Sequence, residues 1–278
     1  MNEQQIASFW EEHPCGEQLV GGLRGDYDSF FARYDAYRYG KEGHVLECLD
    51  GVDWAGRDVL EVGLGQGADA EQIVRRGGRW SGLDLTGEAV ARTAMRMRVR
   101  GLDHGPIHEG SILSAPFEDD SFDLVFSHGV LHHVPDIRAA SRELHRILRP
   151  EGELVVMVYA RWSLNYLVAI GVLRRLGLIA MRSMGVRGRG ALAVHVARSK
   201  EEGLLRYLKL ENFIHRNTDG PDNPYSRVSD RASLAREFEE FEVTRTYKRF
   251  MHAPPLPVTN WPGGRLMGWH LWAHLRPR

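Results

Sequence analysis

The chain has 278 residues, 43% of them hydrophobic and 26% charged, with a formal net charge of -1. Those values fit one large globular domain, or one domain with a sizeable insertion, and they exclude a globally basic binder of nucleic acid. Cys15 and Cys48 stand alone without C-x-x-C spacing, so neither a disulfide framework nor a metal site is expected. The start, MNEQQIASFWEEHP, is polar and acidic, unlike a signal peptide. The most apolar run, LNYLVAIGVLRRLGLIAM, is interrupted by Arg174 and Arg175 after roughly ten residues, too short for a transmembrane segment. The expectation is a cytoplasmic enzyme.

In chain order, residues 1–57 read as a helical cap with an aromatic cluster at Tyr27, Phe30, Phe31, Tyr34, Tyr37 and Tyr39. A strand is expected at 58–62, a helix to about 76, and a second strand at 79–84. Thr86 is placed to cap the next helix, with Glu88 in its first turn and Gly101 as its stop. A short strand near 107–109 and another at 121–127 follow. Asp136 caps a helix with Ile137, Ala140, Leu144, Ile147 and Leu148 at helical spacing, and Pro150 and Gly152 are expected to end it. Strand 153–159 comes next, and two more strands are expected in FEVTRTYKRF and GWHLWAHLRP. This alternation predicts an α/β fold, a mostly parallel sheet with helices on both faces.

Residues 58–69, DVLEVGLGQGAD, carry the sharpest signal. A strand breaks into Gly63, Gly65 and Gly67 and runs into a helix, which is how an open α/β sheet makes a nucleotide crevice at its carboxyl edge. Asp84, seventeen residues after Gly67, ends the second strand, where a carboxylate accepts from both hydroxyls of a ribose. The spacing alone fits either a dinucleotide such as NAD or another adenosine-bearing cofactor.

Four landmarks in order, EVGLGQG, GLDLT, EGSILSAPFEDDSFDLVFS and LHRILRPEGELVVMVY, decide between them. Across residues 59–159 the chain resembles the class I S-adenosylmethionine-dependent methyltransferases, of the small-molecule type. The resemblance implies a Rossmann-like, seven-stranded, mostly parallel sheet whose last two strands form a hairpin. It implies S-adenosyl-L-methionine as cofactor and S-adenosyl-L-homocysteine as product. It places Gly63, Gly65, Gln66 and Gly67 along the methionyl end, with Glu61 orienting backbone or the ammonium. Asp84 would hold the ribose beside Leu85, Ser111 and Ile112 would flank the adenine, and His128 and Gly129 would meet the ammonium. Ser111 stands where many relatives carry an acid, so its contact with the adenine amino group stays open. Tyr27, Tyr37 and Tyr39 either close the site from the N-terminal cap or belong to the core, and Tyr39 is taken as a cofactor contact.

For proton removal the candidates are His133, which follows the fourth strand, and His215 in the turn-rich segment HRNTDGPDNPYSRV, a possible rim of the acceptor pocket. His133 is either a general base or a positioning group. The expected division is 1–57 cap, 58–160 cofactor-binding core, 161–240 helical insertion forming an acceptor-side lid, and 241–278 strand hairpin. From Arg161 to Lys200 the insertion has eight basic residues and no Asp or Glu. It reads as a solvated cap, as a lid over an anionic acceptor, or as a membrane-surface or partner-binding face. The expected partner is a small-molecule acceptor, anionic or amphiphilic, with no nucleic acid. A quinone- or lipid-type acceptor and a NAD-dependent oxidoreductase are the alternatives.

Overall fold

Strand β1 (Asp58–Val62) is buried on both faces, and its alternation divides the interior. Leu60 and Val62 enter one apolar cluster, with Ala140, Leu144 and Ile147. Val59 enters another, with Leu49, Ile73 and Met97. In a computed structural model, which describes residues 2–14, 16, 25–259 and 261–278, β1 lies mid-sheet between β2 (Arg79–Asp84) and β4 (Phe122–His128), parallel to both. Cys15 lies outside the described residues, and Cys48 is a buried free thiol.

With β3 (Ile107–Glu109), β5 (Leu148–Tyr159), β6 (Phe241–Arg249) and β7 (His270–Pro277), the seven strands run in the order β3-β2-β1-β4-β5-β7-β6. β7 is antiparallel to both of its neighbours, and the remaining pairs are parallel. This is the expected Rossmann-like sheet with a terminal hairpin. The strand order reverses between β1 and β4, so the crevice opens beyond Val62 and His128.

Helices cover both faces. α3 (His44–Asp50), α4 (Ala68–Arg75) and α5 (Gly87–Arg100) supply Leu49, Ile73 and Met97 to one side, and α6 (Ile137–Ile147) and α11 (Arg231–Glu237) serve the other. Asp136 caps α6 by accepting from the Ala139 amide at 3.0 Å. The helix stops at Ile147, earlier than Pro150 and Gly152, because Leu148 already pairs with Phe122 as the start of β5. Thr86 stands at the N-terminus of α5 without capping it; its hydroxyl donates to Asp84 instead, at 2.8 Å.

Ahead of the sheet come α1 (Glu3–Glu12) and α2 (Tyr27–Lys41). Phe30, Phe31 and Tyr34 of α2 form a small core with Ala68. Arg96 of α5 is fully buried there, paired with Asp35 at 2.8 Å and Glu71 at 2.9 Å, and its Nε donates to the Gln66 carbonyl at 2.8 Å. One arginine thus ties α2, α4 and α5 to the glycine loop. Between β5 and β6 lies the insertion: a π-type helix at Asn165–Arg174 continuing into α7 (Arg175–Ser183), then α8 (Ala191–Glu201) and the short α9 (Leu204–Tyr207) and α10 (Leu210–Phe213). Its own core joins Ile170, Leu178, Val196, Tyr207 and Phe213 to Tyr159 and Trp269 of the sheet region. The one-turn α12 (Gly264–Met267) precedes β7.

Candidate functional site

The crevice beyond β1 and β4 is a pocket whose wall includes Glu61, Gly63, Gly65, Gln66, Asp84, Leu85, Ile112, His128, Gly129 and His133. Gly63 has φ +84°, and a Cβ there would lie 2.0 Å from Cγ2 of Val130, so only glycine fits. Gly67, at φ +71°, is the residue before α4, and a Cβ on it would press on Thr93 at 3.0 Å. Gly67 therefore shapes the loop from outside the wall.

Asp84 holds the loop together. Its Oδ2 accepts from the Leu64 amide at 2.6 Å, and its Oδ1 accepts from the Thr86 amide at 2.9 Å. Burial still raises its pKa against these bonds. Glu61 is buried beneath the glycine turn and accepts from the Trp80 indole at 2.9 Å. Burial, followed by the charge of Asp69, pushes the Glu61 carboxyl well above the ordinary range.

Beside the glycine turn stand Arg38 and Asp69, two residues that carry no signal of their own in the sequence. Arg38 of α2 donates to Asp69 Oδ2 at 2.5 Å, and His128 Nδ1 lies 2.7 Å from the same oxygen. All three line the pocket. Burial works against the Asp69 carboxylate, but Arg38 and His128 hold its pKa well below the usual range. Burial likewise opposes the Arg38 charge, and Asp69 outweighs it, keeping the guanidinium raised above its ordinary value. The same His128 Nδ1 also lies 2.6 Å from Arg38 Nη2, so Arg38, Asp69 and His128 form one closed cluster.

His133 Nδ1 lies 2.6 Å from the Tyr225 carbonyl, so Nδ1 carries the proton and Nε2 the lone pair. Nε2 is 3.5 Å from Asp219, whose Oδ1 accepts from the Tyr159 hydroxyl at 2.6 Å. Burial lowers the His133 pKa, opposed by Asp219. His132, wholly buried, stacks at 3.8 Å on Tyr159 and faces away from the pocket wall. From the other side α1 roofs the pocket with Glu3, Ile6 and Trp10, joined by Pro14 just beyond it, and Trp10 meets His133 edge-on at 5.1 Å.

Several candidates fall elsewhere. Tyr39 is absent from the wall: its hydroxyl donates to the Ala68 carbonyl at 3.1 Å, fixing α2 to α4, while its neighbour Arg38 faces the cavity. Tyr27 and Tyr37 are not in the wall either. Ser111 donates to Glu3 at 2.5 Å and anchors α1, leaving Gly110 and Ile112 to face the adenosine end. His215 lies off the wall; its loop serves the site through Asp219 and the Tyr225 carbonyl. No residue of 161–240 lines the pocket, so the roof is α1 and not the basic insertion. Ligand atoms of Glu42, His128 and His270, and those of His132, His133 and Asp219, also come within 4.8 Å of one another, close enough to admit a cation.

A parallel sheet with a glycine turn after β1 and carboxylates at the ends of β1 and β2 defines a nucleotide-cofactor site of the Rossmann-like class. Three residues of its wall hold buried polar atoms without partners, Asp69 Oδ1, His128 Nε2 and Arg38 Nε. Such a set suits a zwitterionic amino-acid group better than a second nucleotide.

Comparison with known proteins agrees. A family model described as a methyltransferase domain matches residues 60–156. The chain is 34% identical over 130 residues to the ubiquinone biosynthesis O-methyltransferase of Alkalilimnicola ehrlichii, covering 46% of this chain and 51% of that protein. It is 36% identical over 103 residues to the phthiotriol/phenolphthiotriol dimycocerosates methyltransferase of Mycobacterium tuberculosis, covering 36% and 37%. The matched segments thus span about half or less of those relatives. Among solved structures, an S-adenosylmethionine-dependent methyltransferase from Mesorhizobium loti shares the fold at TM-score 0.54 and 16% identity, covering 85% of this chain and 97% of that one. One from Aquifex aeolicus does so at TM-score 0.53 and 13% identity, covering 92% and 100%. Residues 60–156 thus match a methyltransferase domain, and the fold is shared with S-adenosylmethionine-dependent methyltransferases.

Proposed function

We propose that the chain is an S-adenosylmethionine-dependent methyltransferase acting on a small, largely apolar acceptor, and that His133 takes a proton from the attacking atom. The observation that carries this reading is the state of His133: its proton is tied to a backbone carbonyl, its lone pair is unspent, and burial keeps it neutral at the pocket wall. When bound, the cofactor supplies a methyl group already activated by the sulfonium charge.

The residues do the rest. Asp84, Leu85 and Ile112 hold the adenosine end, and the Gly63 and Gly65 backbone permits close approach. Arg38 faces the methionyl carboxylate, and Asp69 with His128 faces its ammonium. The acceptor rests between His133, Val130, Val134 and Pro135 on one side and Ile6, Trp10 and Pro14 on the other. This roof excludes water and holds the attacking atom close to the electrophile, which removes an entropic barrier. An apolar wall favours an uncharged ring or chain, and the near-neutral chain gives no general attraction to a nucleic-acid backbone. A lipid- or quinone-type acceptor is the second reading, supported by the relatives named for ubiquinone and phthiotriol chemistry.

The test is kinetic. His133→Ala should cut kcat by about 10²–10⁴-fold, while calorimetric affinity for S-adenosylhomocysteine stays within a small factor. The wild-type rate should fall as pH drops through the His133 pKa, below the ordinary histidine value of about 6.5, and that limb should vanish in the variant. An unaltered pH profile would reduce His133 to a positioning role. Binding of NAD in place of S-adenosylhomocysteine would reject the whole reading.

A further inference from the structure

The long helix of the insertion has two unlike faces. Asn165, Ala169, Ile170 and Leu178 turn inward. Val172 and Leu176 are 46% and 57% exposed and share a helical face with the exposed Ile179, and Met184, Val186 and Leu192 beyond the helix are exposed as well. Among the described residues, eight of the thirteen exposed large hydrophobic side chains fall within residues 162–192. Isolated exposed apolar side chains are ordinary; this concentration in one short stretch marks an interaction surface.

Charge identifies what the surface meets. Of the eight basic residues between Arg161 and Lys200, three are tied to other segments of the fold, and Arg175 donates only to the Gly171 carbonyl of its own helix. Arg161 pairs with Asp230, Arg198 pairs with Asp222, and Arg174 donates to the carbonyls of Pro254 and Asn217. The other five, Arg175, Arg182, Arg187, Arg189 and Lys200, have no ion-pair partner among the described residues. Elsewhere the basic side chains commonly find acids, as Arg76 does with Asp50 and Arg146 with Asp119. An apolar face rimmed by unneutralised arginines, on a chain of net charge -1, is complementary to a fluid anionic surface. No helix is long and apolar enough to cross a membrane, so such a face would lie on a bilayer, not in it.

The back of this helix reaches the site. Ile170 and Leu178 share a core with Tyr159, whose hydroxyl holds Asp219 beside His133. The surface and the acceptor end of the pocket are therefore two sides of one packed layer.

We propose that residues 165–192 dock the protein on an anionic lipid bilayer. The inference stands on the exposed face and its charge, and it is independent of the acceptor's identity.

The experiment is co-sedimentation of the full chain with phosphatidylcholine vesicles, with and without phosphatidylglycerol, at low and high salt. The protein should sediment with the anionic vesicles only, and salt should release it. Neutralising Arg175, Arg182, Arg187 and Arg189 to Gln should weaken binding by at least about tenfold. The double change Leu176→Glu and Ile179→Glu should abolish it. Both sites are exposed, and S-adenosylhomocysteine affinity measured on the same samples should stay unchanged, showing intact folding and separating this test from that of the cofactor site. Equal sedimentation with neutral and anionic vesicles, or variants that sediment like the parent, would overturn the proposal. So would a dimer that Leu176→Glu dissociates, since the face would then belong to a second copy of the chain.

Discussion

At the glycine-turn end of the pocket, Glu61, Gly63, Gly65 and Asp84 all come from one stretch of the chain, residues 61–84, and only the Arg38–Asp69–His128 cluster beside them draws on distant segments. At the acceptor end, Trp10, His133, Asp219 and Tyr225 come from three distant segments. The first end is made of backbone turns and strand termini, whose geometry follows from local sequence. The second is made of side chains that meet only after tertiary folding. The glycine turn tolerates almost no substitution, whereas the acceptor end is adjustable through whichever loop is laid against it.

That contrast can be broken at Gly63. Gly63→Ala places a Cβ against Val130 at a positive φ, so it should cost roughly 2–5 kcal/mol in urea unfolding, with loss of cofactor binding. A stable variant that binds normally would show that the turn has slack.

The buried histidines behind the pocket carry an acid sensitivity that the glycine turn lacks. His132 and His270 are buried, and desolvation first, then neighbouring histidines, holds both pKa values well below the ordinary one. The unfolded chain takes up protons at about pH 6.5 and the folded chain does not. Stability is therefore full above that pH and declines as pH falls below it, by up to about 1.4 kcal/mol per pH unit for each histidine. Urea midpoints at pH 8, 6 and 5 should fall in that order; a flat series would mean these rings are protonated in the fold.

A smaller effect sharpens the cofactor end. Asp84→Ala removes a carboxylate already bound to Leu64 and Thr86 and should weaken cofactor affinity by about 1.5–3 kcal/mol by calorimetry. Unchanged affinity in a folded variant would make Asp84 a loop brace alone.

What could be read in advance follows the same division. The strands and the glycine turn were legible because alternation and turn chemistry are encoded within a few residues. Asp69 ended the very motif that drew attention, yet its role depends on Arg38, one of 36 basic residues and without a distinguishing pattern. Tyr39 was chosen where Arg38 belonged because aromatic clustering shows in sequence, whereas the facing of a helix one residue away does not. The same limit hid α1: Ile6 and Trp10 have helical spacing, but nothing local says that they roof a pocket over a hundred residues downstream. The basic insertion showed its composition plainly and its placement not at all.

The strand order has a consequence for synthesis. β6 precedes β7 in the chain but lies outside it, held to the sheet only through β7. As the polypeptide leaves the ribosome, residues 241–249 emerge with no neighbour to bond, while the exposed edge of β5 waits as well. Both edges are satisfied when residues 270–277 enter between them; the pairing with β6 is a local hairpin, whereas that with β5 is distant in sequence and slow by its nature. For that interval the growing chain carries two open ladders, and a chaperone that shields sheet edges would have its largest effect on yield then.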